Sequence, residues 1–235
     1  MTNGGDTLVV AEVFGPTWQG EGASLGMRAG FVRLGRCNLA CTWCDTPYTW
    51  DWTRFDPEKE LTRRNVDDIA AEVEAMDVPL VVITGGEPLL QQSHLPPLLA
   101  ALRRSGMRIE IETAGTLPPA EDVVALVDRF NVSPKLATSG NPLERRYKPD
   151  VLRRFAGTGK AAFKFVATGE ADLEEIDTIV ADCGIDGAGV WVMPEGTDPA
   201  AVVAGARAIA DAVLARRWNM TTRLHVLLWG DERGR

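Results

Sequence analysis

The chain has 235 residues, 45% of them hydrophobic and 25% charged, with a formal net charge of -8 and a pI near 4.9. That length fits one α/β domain spanning residues 1–235, and the apolar content is enough to bury a core. The acidic balance argues against a broad basic surface for nucleic acid or an anionic membrane and favours a small-molecule partner.

The start, Met1-Thr2-Asn3-Gly4-Gly5-Asp6, lacks a basic segment followed by an apolar run. No stretch approaches the roughly 18–20 apolar residues of a membrane span, so a cytoplasmic chain is expected. Leu8 to Phe14 reads as the first strand. It leads into Gly15-Pro16-Thr17-Trp18-Gln19-Gly20-Glu21-Gly22, where Gln19 and Glu21 sit in a Gly-flanked loop. An amide and a carboxylate held this way suit the donor and acceptor edge of a guanine-like or pterin ring; a polar surface loop is the plain alternative. Gly30 to Leu34 reads as the next strand, with Arg33 pointing opposite Val32 and Leu34. Its guanidinium is placed to clamp a carboxylate, unless it is an ordinary half-exposed strand arginine.

Three of the four cysteines follow at C-x3-C-x2-C: Cys37, Cys41 and Cys44. Three thiolates fill three corners of an iron-sulfur cube and leave one iron free for a ligand. Half a zinc site, or a Cys41-x-x-Cys44 dithiol, stays open on spacing alone. Cys183 lies far along the chain and reads as an inert buried thiol. The loop from Thr46 to Glu60, rich in Trp, Asp and Pro, is the longest expected, and its Tyr48, Trp50 and Trp52, with Trp43, either wall a pocket or pack the loop down.

Asn65 to Met76 reads as a helix capped by Asn65, with Val66, Ile69, Ala70 and Val73 on one face. Leu80 to Thr84 reads as a buried strand that ends in Thr84-Gly85-Gly86-Glu87-Pro88. Paired glycines let a ligand approach the backbone, and Glu87 is an acceptor suited to an ammonium group, although a strand-ending turn explains the same residues. Strands are then expected at Arg108 to Glu112, Phe130 to Ser133, Ala161 to Val166, Val190 to Met193 and Arg223 to Leu228. Helices are expected at Pro119 to Arg129, Asp172 to Ala181 and Pro199 to Arg217. Alternating strand and helix imply right-handed crossovers and a parallel sheet. About six such units make an incomplete TIM-like barrel with helices outside, and the cysteine loop follows its first strand. No repeat or linker divides the chain.

The cysteine spacing followed one crossover later by Gly-Gly-Glu-Pro resembles the radical S-adenosylmethionine superfamily. Adding Gln-Gly-Glu-Gly, Phe-Val-Arg-Leu-Gly, Glu112-Thr113-Ala114-Gly115-Thr116 and Ser133-Pro134-Lys135, the chain is similar to the 7-carboxy-7-deazaguanine synthases, closely from about Phe14 to Leu136 and more loosely beyond. The resemblance implies a 4Fe-4S cluster on Cys37, Cys41 and Cys44. It implies S-adenosylmethionine contacts from Trp43, Cys44, Asp45, Gly86, Glu87, Ser133, Pro134 and Lys135, with Glu112 toward the cofactor ribose. It implies substrate contacts from Trp18, Gln19, Gly20, Glu21, Arg33 and Thr84, a magnesium ion on Thr46, and a histidine facing the substrate, here His225. Thr46 as a simple turn residue and His225 as a structural one are the alternatives. The implied reaction takes a hydrogen from C6 of 6-carboxy-5,6,7,8-tetrahydropterin by a 5′-deoxyadenosyl radical, then contracts the ring with loss of ammonia. A flavodoxin- or ferredoxin-type electron donor and a homodimer are implied as well. The ending Leu227 to Arg235 departs from the Lys-Tyr-Leu-Gly-like ending of that family. A glycyl-radical activase and a zinc-stabilised binding module are the rival functions; no further cysteine cluster supports the first, and the glycine turn has no use in the second.

Overall fold

The computed structural model describes residues 6–235, so the expectation drawn from Met1 to Gly5 lies outside the described residues. These residues form one sheet of nine strands: β1 (Thr7–Trp18), β2 (Arg28–Leu34), β3 (Thr62–Asn65), β4 (Leu80–Gly85), β5 (Arg108–Thr113), β6 (Arg129–Val132), β7 (Ala161–Ala167), β8 (Val190–Pro194) and β9 (Asn219–Met220). Their order is β3-β1-β2-β4-β5-β6-β7-β8-β9. Neighbours from β2 to β9 run parallel, and the two end strands of the sheet do not pair, which leaves the barrel incomplete. β1 is antiparallel to β2 because residues 19–27, with one turn at Gly22–Ser24, are fewer than the dozen or so a parallel crossover needs. β3 extends the sheet antiparallel to β1.

Every crossover from β2 onward carries helix. Helix Val66–Glu74 starts where Asn65 Oδ1 accepts the Asp67 N–H at 3.0 Å, and it buries Val66, Ile69, Ala70 and Val73 as its period requires. Helices Pro96–Arg104 and Pro149–Gly157, not foreseen in the sequence, both begin with proline in the first turn, where the missing N–H has no helical partner to lose. The expected Pro119–Arg129 helix is only Glu121–Leu126, since Asp128 N–H already donates to Ile109 O and draws the chain into β6. The Thr46–Glu60 segment holds a turn at Pro47–Thr49 and a short helix at Pro57–Glu60.

One expected strand is a helix. Arg223 to Leu228 belongs to Leu224–Trp229, and the sheet position falls instead to Asn219 and Met220, opposite Trp191 and Val192. The chain leaves the sheet because Thr221 N–H closes the last ladder bond on Val192 O and Leu224 N–H then donates to Gly20 O at 2.8 Å.

Strand alternation divides the side chains into two environments. Val32, Leu34, Ile109, Ile111 and Val132 meet the helices in the main core. The opposite faces turn into the barrel, where Ala29, Phe31, Leu80 and Val82 form a small apolar floor. Further toward the C-terminal strand ends the same faces carry Arg33, Thr84, Glu112, Asn131 and Lys164, all lining one cavity. No helix among the described residues is long and apolar enough to cross a membrane.

Candidate active site

The cavity at the C-terminal strand ends has a volume of about 740 Å³. Cys37, Cys41 and Cys44 all line it, on the irregular segment between β2 and the Pro47–Thr49 turn. That segment is held from several sides. Arg36 N–H donates to Thr49 O at 2.7 Å, Thr42 N–H to Ser139 O at 3.0 Å, and Asn38 Nδ2 to Thr116 Oγ1 at 2.9 Å. Gly86 packs against it so closely that a Cβ there would lie 2.8 Å from Cys37 Cβ, which is the physical need for glycine at this position.

Each of the three sulfurs accepts a hydrogen bond from inside the protein: Cys37 from Leu39 N–H at 3.5 Å, Cys41 from Asn141 Nδ2 at 3.2 Å, and Cys44 from Trp50 Nε1 at 3.3 Å. Such donors match thiolates that carry metal. Burial pushes the Cys37 thiol up to about 12 and raises Cys41 as well, so a cation must replace the proton for either to ionise at neutral pH. Among the described residues, no three His, Cys, Asp or Glu side chains converge as the protein ligands of one ion would. A cube asks less, because each thiolate takes a different iron.

The remaining walls hold the polar residues singled out in the sequence. Gln19 Nε2 donates to Glu112 Oε1 at 3.2 Å, and Thr84 Oγ1 donates to Glu112 Oε2 at 2.7 Å. Glu21 is gripped by Lys164 and by Arg223 Nε at 3.0 Å, and its Oε1 lies 3.9 Å from His225 Nε2. Burial alone would raise the Glu21 carboxyl, but the two cations outweigh it and hold the group well below the usual carboxylate range. Burial lowers His225, with Glu21 pulling the other way, so the imidazole is neutral at pH 7. Gly20 gives His225 room, since a Cβ there would collide with the ring.

Arg33 also faces the cavity. Its Nε donates to Glu12 at 2.7 Å, and Tyr48 Oη donates to the same carboxylate at 2.6 Å; the Arg33 Nη groups have no partner among the described residues. Trp18, 43% exposed, stands at the rim. Trp43 Nε1 donates to Thr138 O at 3.1 Å, and Lys135 Nζ sits 5.6 Å from the Trp43 ring while donating to Ser133 Oγ at 2.8 Å. Thr46 Oγ1 lines the cavity 3.8 Å from Cys44 Sγ. Tyr48 and Trp50 line it too, whereas Trp52 does not.

Two expected contacts are turned elsewhere. Glu87 is fully buried and accepts from Leu89 N–H, Ala114 N–H and Thr113 Oγ1, so Gly86 rather than Glu87 is the part of that turn on the cavity wall. Pro134 also lies off the wall, between Ser133 and Lys135, which are on it. His225 reaches the cavity from a helix instead of a strand. The atypical C-terminus reaches it as well: Arg233 bridges Glu12 at 3.2 Å and Glu60 at 2.9 Å and lies 3.9 Å from the Tyr48 ring.

Glu12, Lys164 and Asn141 are functional residues that no sequence motif marks, and Arg223 has no role legible in the sequence. Lys164 did carry a signal, a lone charge within Ala161–Val166, because a charge in an apolar strand needs a buried partner. Arg223 joins three loops: besides Glu21 it donates to Asp45 and, at 2.7 Å, to Gly196 O.

The Radical SAM superfamily model matches residues 32–166. The 7-carboxy-7-deazaguanine synthase of Pyrobaculum aerophilum is 39% identical over 228 residues, covering 96% of each chain. That of Hyperthermus butylicus is 37% identical over 225 residues, 94% of this chain and 92% of its own. Among solved structures, QueE from Escherichia coli superposes with a TM-score of 0.70 at 26% identity, covering 93% of this chain and 95% of its own. The superfamily works with a 4Fe-4S cluster and S-adenosylmethionine, which agrees with three cysteines on one cavity wall and a glycine turn packed against them. The chain therefore belongs to the 7-carboxy-7-deazaguanine synthase family of radical S-adenosylmethionine enzymes.

Proposed function

We propose that this enzyme converts 6-carboxy-5,6,7,8-tetrahydropterin into 7-carboxy-7-deazaguanine with loss of ammonia, in 7-deazapurine (queuosine-type) biosynthesis. The observation that carries the reading is a single cavity walled both by the three-cysteine loop and by Gln19, Glu21, Arg33 and Glu112. Cys37, Cys41 and Cys44 hold the cluster, and Gly86, Trp43, Asp45, Ser133 and Lys135 receive S-adenosylmethionine. Together these groups supply one-electron chemistry that amino-acid side chains lack.

The chain's own residues bind, orient and shield. The free Nη pair of Arg33 fits the substrate carboxylate, and Glu12 aims it. Gln19 and Glu21 offer acceptors to the N–H edge of the pterin, with Glu21 kept ionised by Lys164 and Arg223, and Glu112 faces the cofactor ribose. Thr84 fixes Glu112, and Trp18, Gly20 and His225 complete the ring's surroundings. Trp43, Tyr48 and Trp50 exclude water from the reacting centre. One continuous sheet supports a single domain over the chain. An external flavodoxin- or ferredoxin-type donor and a homodimer are implied by the family resemblance, and a cytoplasmic setting is proposed with them.

Anaerobic incubation of the reduced protein with S-adenosylmethionine and the carboxy-pterin, analysed by mass spectrometry, tests the assignment. It is expected to yield 7-carboxy-7-deazaguanine, and an unchanged pterin would refute it. The family resemblance assigns Thr46 to magnesium; its hydroxyl lies on the cavity wall, and magnesium accepts one or two protein ligands with substrate oxygens and waters. Thr46→Ala is expected to weaken the apparent magnesium affinity, read from activity against magnesium concentration, by about 10- to 100-fold. An unchanged curve removes Thr46 from the metal.

A further inference from the structure

We propose that Asn141 and Trp50 are positioning residues of the cluster whose side-chain N–H groups, directed at the sulfurs of Cys41 and Cys44, raise its reduction potential. The inference rests on the assignment of those cysteines as cluster ligands. It concerns residues outside the C-x3-C-x2-C motif: Asn141 lies a hundred residues beyond Cys41, on the segment that follows β6.

The Asn141 amide has only one sensible orientation. Its Oδ1 accepts the Ala40 N–H at 2.9 Å, so the amide NH2 must point the other way, where it meets Cys41 Sγ at 3.2 Å and Ser139 Oγ at 3.2 Å. The side chain is 7% exposed, which leaves little water to compete for these bonds. Asn141 thus does two things at once: it pins the backbone of the cysteine loop and donates a hydrogen bond to one of the sulfurs. Trp50 donates to Cys44 Sγ at 3.3 Å from the other side of the loop, through a group with no acceptor function.

A donor aimed at a thiolate stabilises the more negative, reduced form of the cluster more than the oxidised form. Hydrogen bonds to the sulfurs are therefore among the levers that set iron-sulfur potentials. Reduction here adds one electron from the external one-electron donor to the cluster and breaks no bond. With these two side-chain donors added to the Leu39 N–H on Cys37, the cluster is easier to reduce than its charge and burial alone would make it.

The test uses full-length protein reconstituted anaerobically, with iron and sulfide measured and the midpoint potential read by redox titration followed by electron paramagnetic resonance. Trp50→Phe removes the donor to Cys44 without changing charge and is the decisive variant; Asn141→Asp keeps an oxygen for Ala40 N–H and removes the donor to Cys41, but its carboxylate lowers the potential by itself, so there only an unmoved midpoint decides, against the proposal. Each variant is expected to hold a full cluster and to show a reduced-to-oxidised ratio about tenfold lower at the wild-type midpoint, a shift of about 59 mV to more negative potential for a one-electron couple. A full cluster with an unmoved midpoint in either variant overturns the proposal. If Asn141→Asp does not load, Trp50→Phe decides alone, because Trp50 braces no backbone group of Cys37–Cys44. Wild-type protein without an iron-sulfur signature, or Cys41→Ala with a wild-type one, would instead sink the ligand assignment while leaving a different and recognisable result.

Discussion

Arg223→Ala is expected to destabilise the protein by about 3–5 kcal/mol and to lower kcat/KM by about 100-fold. The magnitude follows from what the guanidinium holds. Glu21 has a side chain 14% exposed between Lys164 at 8% and Arg223 at 7%, so its ion pairs are interior ones and escape the screening that makes surface pairs weak. Removing one cation leaves a buried carboxylate partly uncompensated, and the Gly196 carbonyl loses its donor. The Asp45 arm contributes less to stability because that carboxylate is 39% exposed, but it ties the cysteine loop to the loop that carries Glu21. A shift of about 1 Å between cofactor and substrate is enough for the expected loss of rate. The pH dependence should change in a defined sense. In the wild type the depressed Glu21 pKa gives a contribution fully present above the unfolded value, about 4.3, and lost only as pH falls through the lower folded value. Without Arg223 burial regains weight and the folded pKa rises. Activity of the variant should then fall on the acid side at a pH where the wild type is still flat, whereas its stability should change less with acid than that of the wild type, because the smaller gap between folded and unfolded values leaves less to lose. Arg223→Lys should rescue only part, since a point charge cannot serve Glu21, Asp45 and Gly196 together. Urea unfolding and steady-state kinetics from pH 5 to 8 check this; a variant within about 1 kcal/mol and threefold of wild type would refute it.

The parts of this site that were legible in the sequence are those whose chemistry is local. Cys37, Cys41 and Cys44 announce a metal by spacing, Gly86 by the turn it makes, and Asn65 by the helix it caps. The parallel strands up to Val190–Pro194 were legible for the same reason, because a run such as Leu80–Thr84 needs only its own apolar residues to be a buried strand. What stayed hidden depends on pairs far apart in sequence. Nothing near Lys164 says that its partner is Glu21, and nothing near Cys41 points to Asn141. The Arg223–Leu228 segment shows the same limit at the level of backbone. Arg-Leu-His-Val-Leu-Leu is short and apolar, so its period fits strand and helix alike. The choice was made by Arg223 turning inward to Glu21 and by Leu224 N–H reaching Gly20, both contacts with the first loop of the fold. Glu87 is the converse case: a residue type suited to an ammonium group, in a motif that suggested one, whose acceptors are already filled.

That filling leads to the second large effect, on stability rather than on cofactor affinity. One Glu87 oxygen accepts Leu89 N–H at 3.0 Å and the other accepts Ala114 N–H at 2.8 Å, with Thr113 Oγ1 within 2.9 Å of both. A glutamine fits this volume, yet whichever way its amide turns, the NH2 faces a backbone N–H. Burial pushes the Glu87 carboxyl above its usual range against the pull of these donors, so neutral glutamine avoids part of a charge-burial cost. The two effects oppose each other, and the donor-donor contact is the one without a remedy in a fully buried site. Glu87→Gln is therefore expected to lose about 1–3 kcal/mol. Glu87→Ala strands all three donors and should lose about 3–5 kcal/mol, in the range of a broken interior polar network. The damage should reach the metal, because Glu87 N–H donates to Arg36 O at 2.9 Å and Gly86 N–H to Leu34 O at 3.1 Å, which zips this turn onto the start of the cysteine loop. Iron content after reconstitution should fall in step with the urea midpoint across the two variants. A Glu87→Gln protein as stable and iron-replete as the wild type, but binding S-adenosylmethionine more weakly, would return Glu87 to the cofactor and show that its backbone donors are satisfied some other way.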